Sequence, residues 1–520
     1  MNITKKILVA LLALMLGGTG CDKFLDVNQD PINPTDVDIP LLLPTAQASM
    51  STYLGHSVLG LSQPTAGIMQ QLVNFRVGSF ALDGNTLNNQ WQGLYTAMLE
   101  NNEQIITRGT ATSAWGHVGI AQIQKAYVFS QMVDVWGDIP YSQALQGIGN
   151  PAPAFDDDAA IYADLFRLID EGIANLRRTD ASRNPGAEDL IYNGDRNKWI
   201  RLGNTLKLKL YNQIRLTRNV ASEVTPLLSG ELITAADDFE FRYGIGAGNP
   251  ENRHPGFQGD YVSTSRENYI NPFFYNLMKD NSDPRIPYYF YNQVTSPATL
   301  ANVDYQDGRF IAIRFGSIGP QAGANTSTTR TLQGLYPIGG RYDNGAGGAA
   351  TGNSGRGNVP QRFITFFMRK YIEAELQLTV LNNPTAARTA FTDAVNASFA
   401  KVNAIAAADG SPTIPEATIT AYRTAALARY DAAAGNEGKL NVIITEKYIA
   451  NFGTGTDVYT DYRRTGYPNV PNAATDNDPQ TVATGGFPVR LPYRINDLLS
   501  NPNAPQTQPD ITTERVFWDR

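Results

Sequence analysis

The chain has 520 residues, 42% hydrophobic and 18% charged, which is apolar enough for a sizeable core and argues against wholesale disorder. Lys+Arg 42 against Asp+Glu 49 gives a net charge of -7, which disfavours a general nucleic-acid binder built on phosphate neutralisation, so no nucleic-acid partner is expected. One cysteine, with His56, His117 and His254 far apart, leaves no disulfide framework, multi-thiolate zinc site or HExxH pair; no metal and no cofactor are expected.

Residues 1–20 read as a secretory signal. Lys5 and Lys6 precede an apolar run from Ile7 to Leu16, about half of the roughly 20 residues a membrane-spanning helix needs. Cys21 follows Gly17, Gly18, Thr19 and Gly20, where a lipoprotein signal peptidase requires its cysteine, so Cys21 is the expected lipidation site. A diacylglycerol plus an amide-linked acyl chain supplies the two hydrophobic anchors that stable membrane attachment needs. Removing residues 1–20 takes away two lysines and no acid, which moves the net charge from -7 to -9. Residues 21–40, rich in Asp, Asn and Pro, form a tether; Asp36 and Asp38 lack an EF-hand spacing and fit turns and caps better than calcium. Residues 41–520 form one α-helical domain.

Helical periodicity begins at Trp91, with Leu94, Tyr95 and Met98 at i+3, i+4 and i+7. A second helix is predicted from Val118 to Trp136, ending at Gly137 before Pro140. Asp156, Asp157 and Asp158 open a third, whose stripe of Ile161, Leu165, Leu168, Ile169, Ile173 and Leu176 closes at Arg177 and Arg178. Acids at the start and bases at the end suit the helix dipole, so the aspartates read as a capping cluster. A fourth helix fits Trp199 to Leu216. Phe363, Phe367, Tyr371, Ala374, Leu378 and Leu381 precede a break at NNPT, and Ala387, Phe391, Ala394, Ser398 and Val402 resume the rhythm. Glu416–Tyr430 and Leu440–Phe452 complete about four helix–turn–helix pairs, similar to tetratricopeptide stacking without its consensus residues.

Two inserts, about 236–275 and 300–360, are dense in Gly, Asn, Thr and aromatics and lack helical rhythm. Tyr305, Phe310, Phe315, Tyr336 and Tyr342 predict partial packing there. Paired carboxylates for catalysis do not stand out: Glu373 and Glu375 sit two apart on a helix and face different ways. With no GxSxG elbow, P-loop or kinase set, no catalytic residue is assigned. Tyr 25, Phe 22 and Trp 5 among many amides and few charges suit a hydroxyl- or amide-rich ligand, whose C–H faces match aromatic rings. The run Tyr288, Tyr289, Phe290, Tyr291, read as a strand, puts Tyr289 and Tyr291 on one, open face.

These features coincide with family motifs. FLDVN and DPINPT within 24–35, WQGLYTAMLENN at 91–102, DVWGDIPYSQA at 134–144, ITEKYIANFGTG at 444–455, DYRRTGYP at 461–468, GGFPVRLPYR at 485–494 and FWDR at 517–520 together resemble the SusD and RagB family of nutrient-binding outer-membrane lipoproteins of Bacteroidetes. The resemblance implies a mainly α fold, in which four tetratricopeptide-like helix pairs support a ligand-binding face of long irregular loops. It implies a lipid-anchored protein of the outer membrane, exposed at the cell surface. There it acts as a hinged lid that delivers a glycan or peptide to a SusC-like TonB-dependent barrel transporter. Trp91 with Asn88 occupies the region that carries ligand contacts in the family's starch-binding member, and Phe75, Arg76, Asn88, Trp91, Tyr289 and Tyr291 are the expected ligand contacts. Gly137, Pro140, Gly466 and Pro468 are expected to punctuate turns, and Arg463 and Arg464 to tie loops to carboxylates. A lipid-anchored secreted hydrolase acting on polysaccharide is the alternative.

Overall fold

The computed structural model describes residues 37–74, 80, 82–263, 266, 268–296, 300, 303–317, 327–471 and 486–519. The expected signal, the expected lipidation site Cys21, most of the expected tether, and the ligand candidates Phe75 and Arg76 lie outside the described residues.

Four antiparallel helix pairs carry the fold: Glu100–Ala111 with Trp115–Trp136, Asp158–Arg177 with Arg196–Ile214, Phe366–Thr379 with Pro384–Asp409, and Glu416–Ala432 with Gly435–Ala450. Arg196–Ile214 packs on Phe366–Thr379 and joins the first two pairs to the last two. The first helix of the first pair extends backward through a π-turn at Leu94–Leu99 to Asn88–Gly93. The fold is mainly α, as the periodicity predicts. Among the described residues no helix is long and apolar enough to cross a membrane.

The helix ends have local causes. Gly137 stops Trp115–Trp136 at φ 74, in the left-handed region that costs glycine nothing. Of the three aspartates expected to cap, Asp157 does so, accepting from Ala160 N at 2.9 Å. Asp156 turns back and accepts from the backbone N–H groups of Tyr141 and Ser142 at 2.9 and 2.8 Å. Asp138, Asp157 and Asp158 bring carboxylate oxygens within 4.8 Å of one another. Asp138 accepts from Asp158 N and Asp158 from Phe517 N, each at 2.9 Å, so the cluster joins the 137–158 turn to the C-terminus. Asn383 caps Pro384–Asp409, and proline at the first helical position loses no needed donor there.

Glu373 and Glu375 diverge as their spacing requires. Glu375 is fully buried and binds Arg464 and, at 2.9 Å, Arg215, whereas Glu373 meets Arg369 and Lys370 nearer the surface. Arg464 therefore pairs with carboxylates as expected. Arg463 does not: it donates to the backbone carbonyls of Val489, at 2.8 Å, and Asp134, because the 488–492 segment brings main chain rather than acid to its fork. Trp518 closes this corner by donating from its indole to Asp134 Oδ1 at 3.0 Å, beside the Tyr162 hydroxyl on the same oxygen.

The described parts of the two inserts contain short strand pairs. Phe239–Phe241 pairs antiparallel with Gln361–Ile364, Asn268–Ile270 with Leu72–Asn74, Leu332–Gln333 with Phe290–Tyr291, and Tyr305–Asp307 with Phe310–Ala312. Phe310 stacks on Tyr275 at 3.8 Å, and Phe315 and Tyr336 are buried, so the insert aromatics pack as predicted.

Candidate ligand-binding cleft

The Tyr288–Tyr291 run is not an open strand. Ile286–Tyr289 is a short helix, with Pro287 suited to its first turn, and Phe290–Tyr291 a two-residue strand. Tyr289 is 1% exposed and stacks on Tyr336 at 4.8 Å with planes 9° apart. Tyr291 is 0% exposed and donates its hydroxyl to the carbonyls of Gly347 and Gly348 at 2.8 and 2.7 Å. The open face expected for Tyr289 and Tyr291 is therefore corrected. The 332–348 segment folds over both rings, and its carbonyls at Gly347 and Gly348 take up the Tyr291 hydroxyl.

Trp91, by contrast, lines a cleft of about 450 Å³, within the range of small-molecule sites, and Asn88 stands behind it, bound to the lining residue Arg494. Three segments build the cleft: the helical run from Trp91 to Glu100, the 140–155 loop, and the Arg494–Asn501 stretch with its short Ile495–Ser500 helix. Trp91, Tyr95 and Phe155 form the aromatic wall. Trp91 is 3% exposed. Its ring meets Trp136 edge-on at 5.0 Å and lies nearly parallel to Phe155 at 6.1 Å. Trp91 is thus anchored in the core and shows the cleft only an edge. The polar lining is mostly uncharged: Gln92, Thr96, Gln146, Asn150, Ser500 and Asn501. Ile148 and Leu499, both largely exposed, stand on the two segments facing each other across the mouth.

Arg494 organises the floor. Its Nε donates to Asn88 Oδ1, its Nη1 to Asp497 Oδ1 at 3.0 Å and its Nη2 to Gln92 Oε1 at 3.4 Å. Burial raises Asp497 above the usual carboxylate range, while Arg494 and a hydrogen bond from the Trp91 indole pull it back. The Tyr95 hydroxyl donates to Pro140 O at 2.7 Å. Its pKa lies well above the ordinary phenol value, first through burial and then through Asp497 and Asp156 nearby. Asn501 and Asn503 donate to Pro153 O and Ala152 O, both at 2.7 Å, and hold the 140–155 loop against the C-terminal stretch. The cleft is preformed and presents ring edges beside amide and hydroxyl groups, the combination that holds a polyhydroxylated ligand by its C–H faces and its hydroxyls.

A second groove, of about 770 Å³, lies beside Phe366–Thr379 and Pro384–Asp409. Its cations are already paired, Lys401 with Asp238 and Glu240, and Lys370 with Glu373 and Asp393. It lacks a comparable aromatic wall: Phe366 and Phe367 are its aromatic lining.

Of the ligand contacts expected from sequence, Trp91 lines the first cleft and Asn88 is bound behind it; Arg494, Asp497 and Phe155 are not among those expected, and Tyr95 reads from sequence as part of an apolar helical stripe. The available signal was motif position, since Arg494 ends GGFPVRLPYR and Tyr95 lies in WQGLYTAMLENN.

Stacked helix pairs that frame a preformed cleft of rings and amides define a helical ligand-binding protein of the SusD-like class. The chain belongs to the SusD-like_2 family, described as starch-binding and associating with the outer membrane, whose profile matches residues 31–493. Solved structures share the fold. A SusD-like protein from Bacteroidetes superposes with a TM-score of 0.72 at 18% identity, covering 93% of this chain and 100% of the other. A SusD homologue from Bacteroides fragilis gives 0.70 at 18%, covering 93% and 100%. A chitin-binding SusD homologue from Flavobacterium johnsoniae gives 0.69 at 19%, covering 93% and 98%. None of the curated proteins matches the chain by sequence.

Proposed function

We propose that the protein is a lipid-anchored receptor at the cell surface that captures an oligosaccharide in the cleft at Trp91, Tyr95, Phe155 and Arg494 and passes it to a SusC-like TonB-dependent barrel. The observation that carries this reading is the cleft itself, with an aromatic wall, neutral amides and a floor fixed by Arg494. The family description of starch binding and the chitin-binding neighbour support a glycan over a peptide. Acylation of Cys21 anchors the chain to the outer membrane, and the protein acts on its ligand without catalysis. Asn88 and Trp91 serve here as positioning and wall residues. Phe75 and Arg76 remain proposed contacts. Tyr289 and Tyr291, closed inside the core, act as support for the fold.

The test is titration of the full-length protein in detergent with malto- and chito-oligosaccharides. Saturable binding, weakened by Arg494→Ala at unchanged far-UV circular dichroism, is expected, with no release of reducing ends. Turnover of the sugar would favour the hydrolase instead. Cys21→Ala is expected to free the protein from carbonate-washed membranes, and a large barrel protein is expected to co-purify with the wild type.

A further inference from the structure

The glycan reading of the cleft leaves open which sugars it takes, and its charges bear on that question. Among the described lining residues three are charged: Glu100, Arg494 and Asp497. Arg494 is the one cation, its side chain is 19% exposed, and each of its three nitrogens already donates, to Asn88, Asp497 and Gln92. Glu100, a lining residue, accepts from Gln104 Nε2 through Oε1 at 3.0 Å. Asp156 lies just behind the wall, close enough with Asp497 to act on the Tyr95 hydroxyl. Two carboxylates thus face the cleft against one guanidinium that the protein itself holds, and a third stands behind, so the local potential is negative.

We propose, on that reading, that the cleft selects its oligosaccharide by charge, preferring one that carries protonated amino groups to a neutral one and turning away uronic acids. An ammonium gains attraction from Glu100 and Asp497 without disturbing the floor. A uronate meets like charge. To reach Arg494 it must displace Asp497 and leave a partly buried carboxylate without its partner, a costly arrangement.

The test titrates the full-length protein in detergent with a glucosamine hexamer, the fully acetylated hexamer and an oligogalacturonate of similar length, at a pH where the amines are protonated. The amino hexamer is expected to bind about fivefold more tightly than the acetylated one at low salt, the scale of a single exposed ion pair. That preference is expected to shrink in Glu100→Gln, whose only described side-chain partner is Gln104, and at high salt. Galacturonate is expected not to bind. Equal binding of the two hexamers, tight binding of galacturonate, or a preference untouched by Glu100→Gln overturns the charge proposal while leaving the glycan site in place. Failure of all sugars, neutral maltohexaose included, overturns the glycan reading and the charge proposal together.

Discussion

Two aromatic clusters of similar composition have opposite fates in this molecule. Around Tyr289, the rings of Tyr336, Phe274 and Phe452 approach within 6.4 Å, and a short strand pair covers them. Around Trp91, the rings of Trp136, Tyr95, Phe155 and Tyr493 approach within 6.2 Å, yet the covering layer is a loop and a six-residue helix, tied together at Asn501 and Asn503, that leave a cleft beneath them. Aromatic content does not separate the two. What separates them is the layer on top: in one, main chain that closes over the rings and accepts from the Tyr336 and Tyr291 hydroxyls, and in the other, amides and an Arg–Asp pair that leave a gap between segments.

Substitutions that break this contrast rank by how much packing they remove. Tyr289→Ala is expected to cost about 3–5 kcal/mol, the range for deleting a buried aromatic side chain, read as a lower urea midpoint, with no effect on sugar affinity in the protein that remains folded. Trp91→Ala is expected to lower stability on a similar scale, because the ring is almost wholly buried, and also to abolish binding; Trp91→Phe keeps most of the packing and isolates the loss of binding. Arg494→Lys loses the fork that links Asn88, Gln92 and Asp497, and is expected to destabilise by about 1 kcal/mol while weakening sugar binding by more than its effect on the midpoint.

Acid sharpens the comparison further. His56 sits beside the closed cluster and bonds Gln333 of the strand paired with Phe290–Tyr291 at 2.7 Å. Burial lowers His56 to about 4 and His254 to about 3. Both stay neutral in the folded protein and take up a proton in the unfolded chain, so stability is lost as pH falls from about 6.5 through about 4. The carboxyl of Asp158 behaves oppositely. Burial, with Asp138 and Asp157 beside it, raises it to about 6 against the pull of the Phe517 N–H. The folded state holds that proton more tightly, so this group's contribution is present below about 4 and is lost as pH rises through about 6. Urea midpoints from pH 4 to 7 are expected to rise overall, less steeply in His56→Gln. Asp158→Asn, which keeps an acceptor for Phe517, is expected to give a small gain near pH 7 and none at pH 4.

The four helix pairs were legible because their apolar stripes repeat at helical spacing and their caps are local: Asp157, Gly137 and Asn383 act within a turn of where they stand. The cleft lining was legible as a ligand site at Trp91 alone, with Asn88 bound behind it. Its other half comes from residues some 400 positions away, as the Arg494 to Asn88 contact illustrates, and nothing in the local sequence reports such a meeting. Tyr289 and Tyr291 were misplaced for a related reason. Alternation predicts which side chains share a face of a strand, but neither that a proline-started helical turn supplies half the run nor that the 332–348 segment folds over it. Arg463 was placed at the right corner with the wrong partner, since guanidinium groups satisfy carbonyls as readily as acids.

The Trp518 indole, docked on Asp134, has a bearing on how the protein folds. The two residues stand 384 positions apart, so their meeting closes a very long loop and comes after the shorter-range helix pairs have formed. Trp518→Phe, which removes the indole donor and keeps a ring in place, is expected to loosen this corner, read as faster proteolysis there at unchanged far-UV circular dichroism.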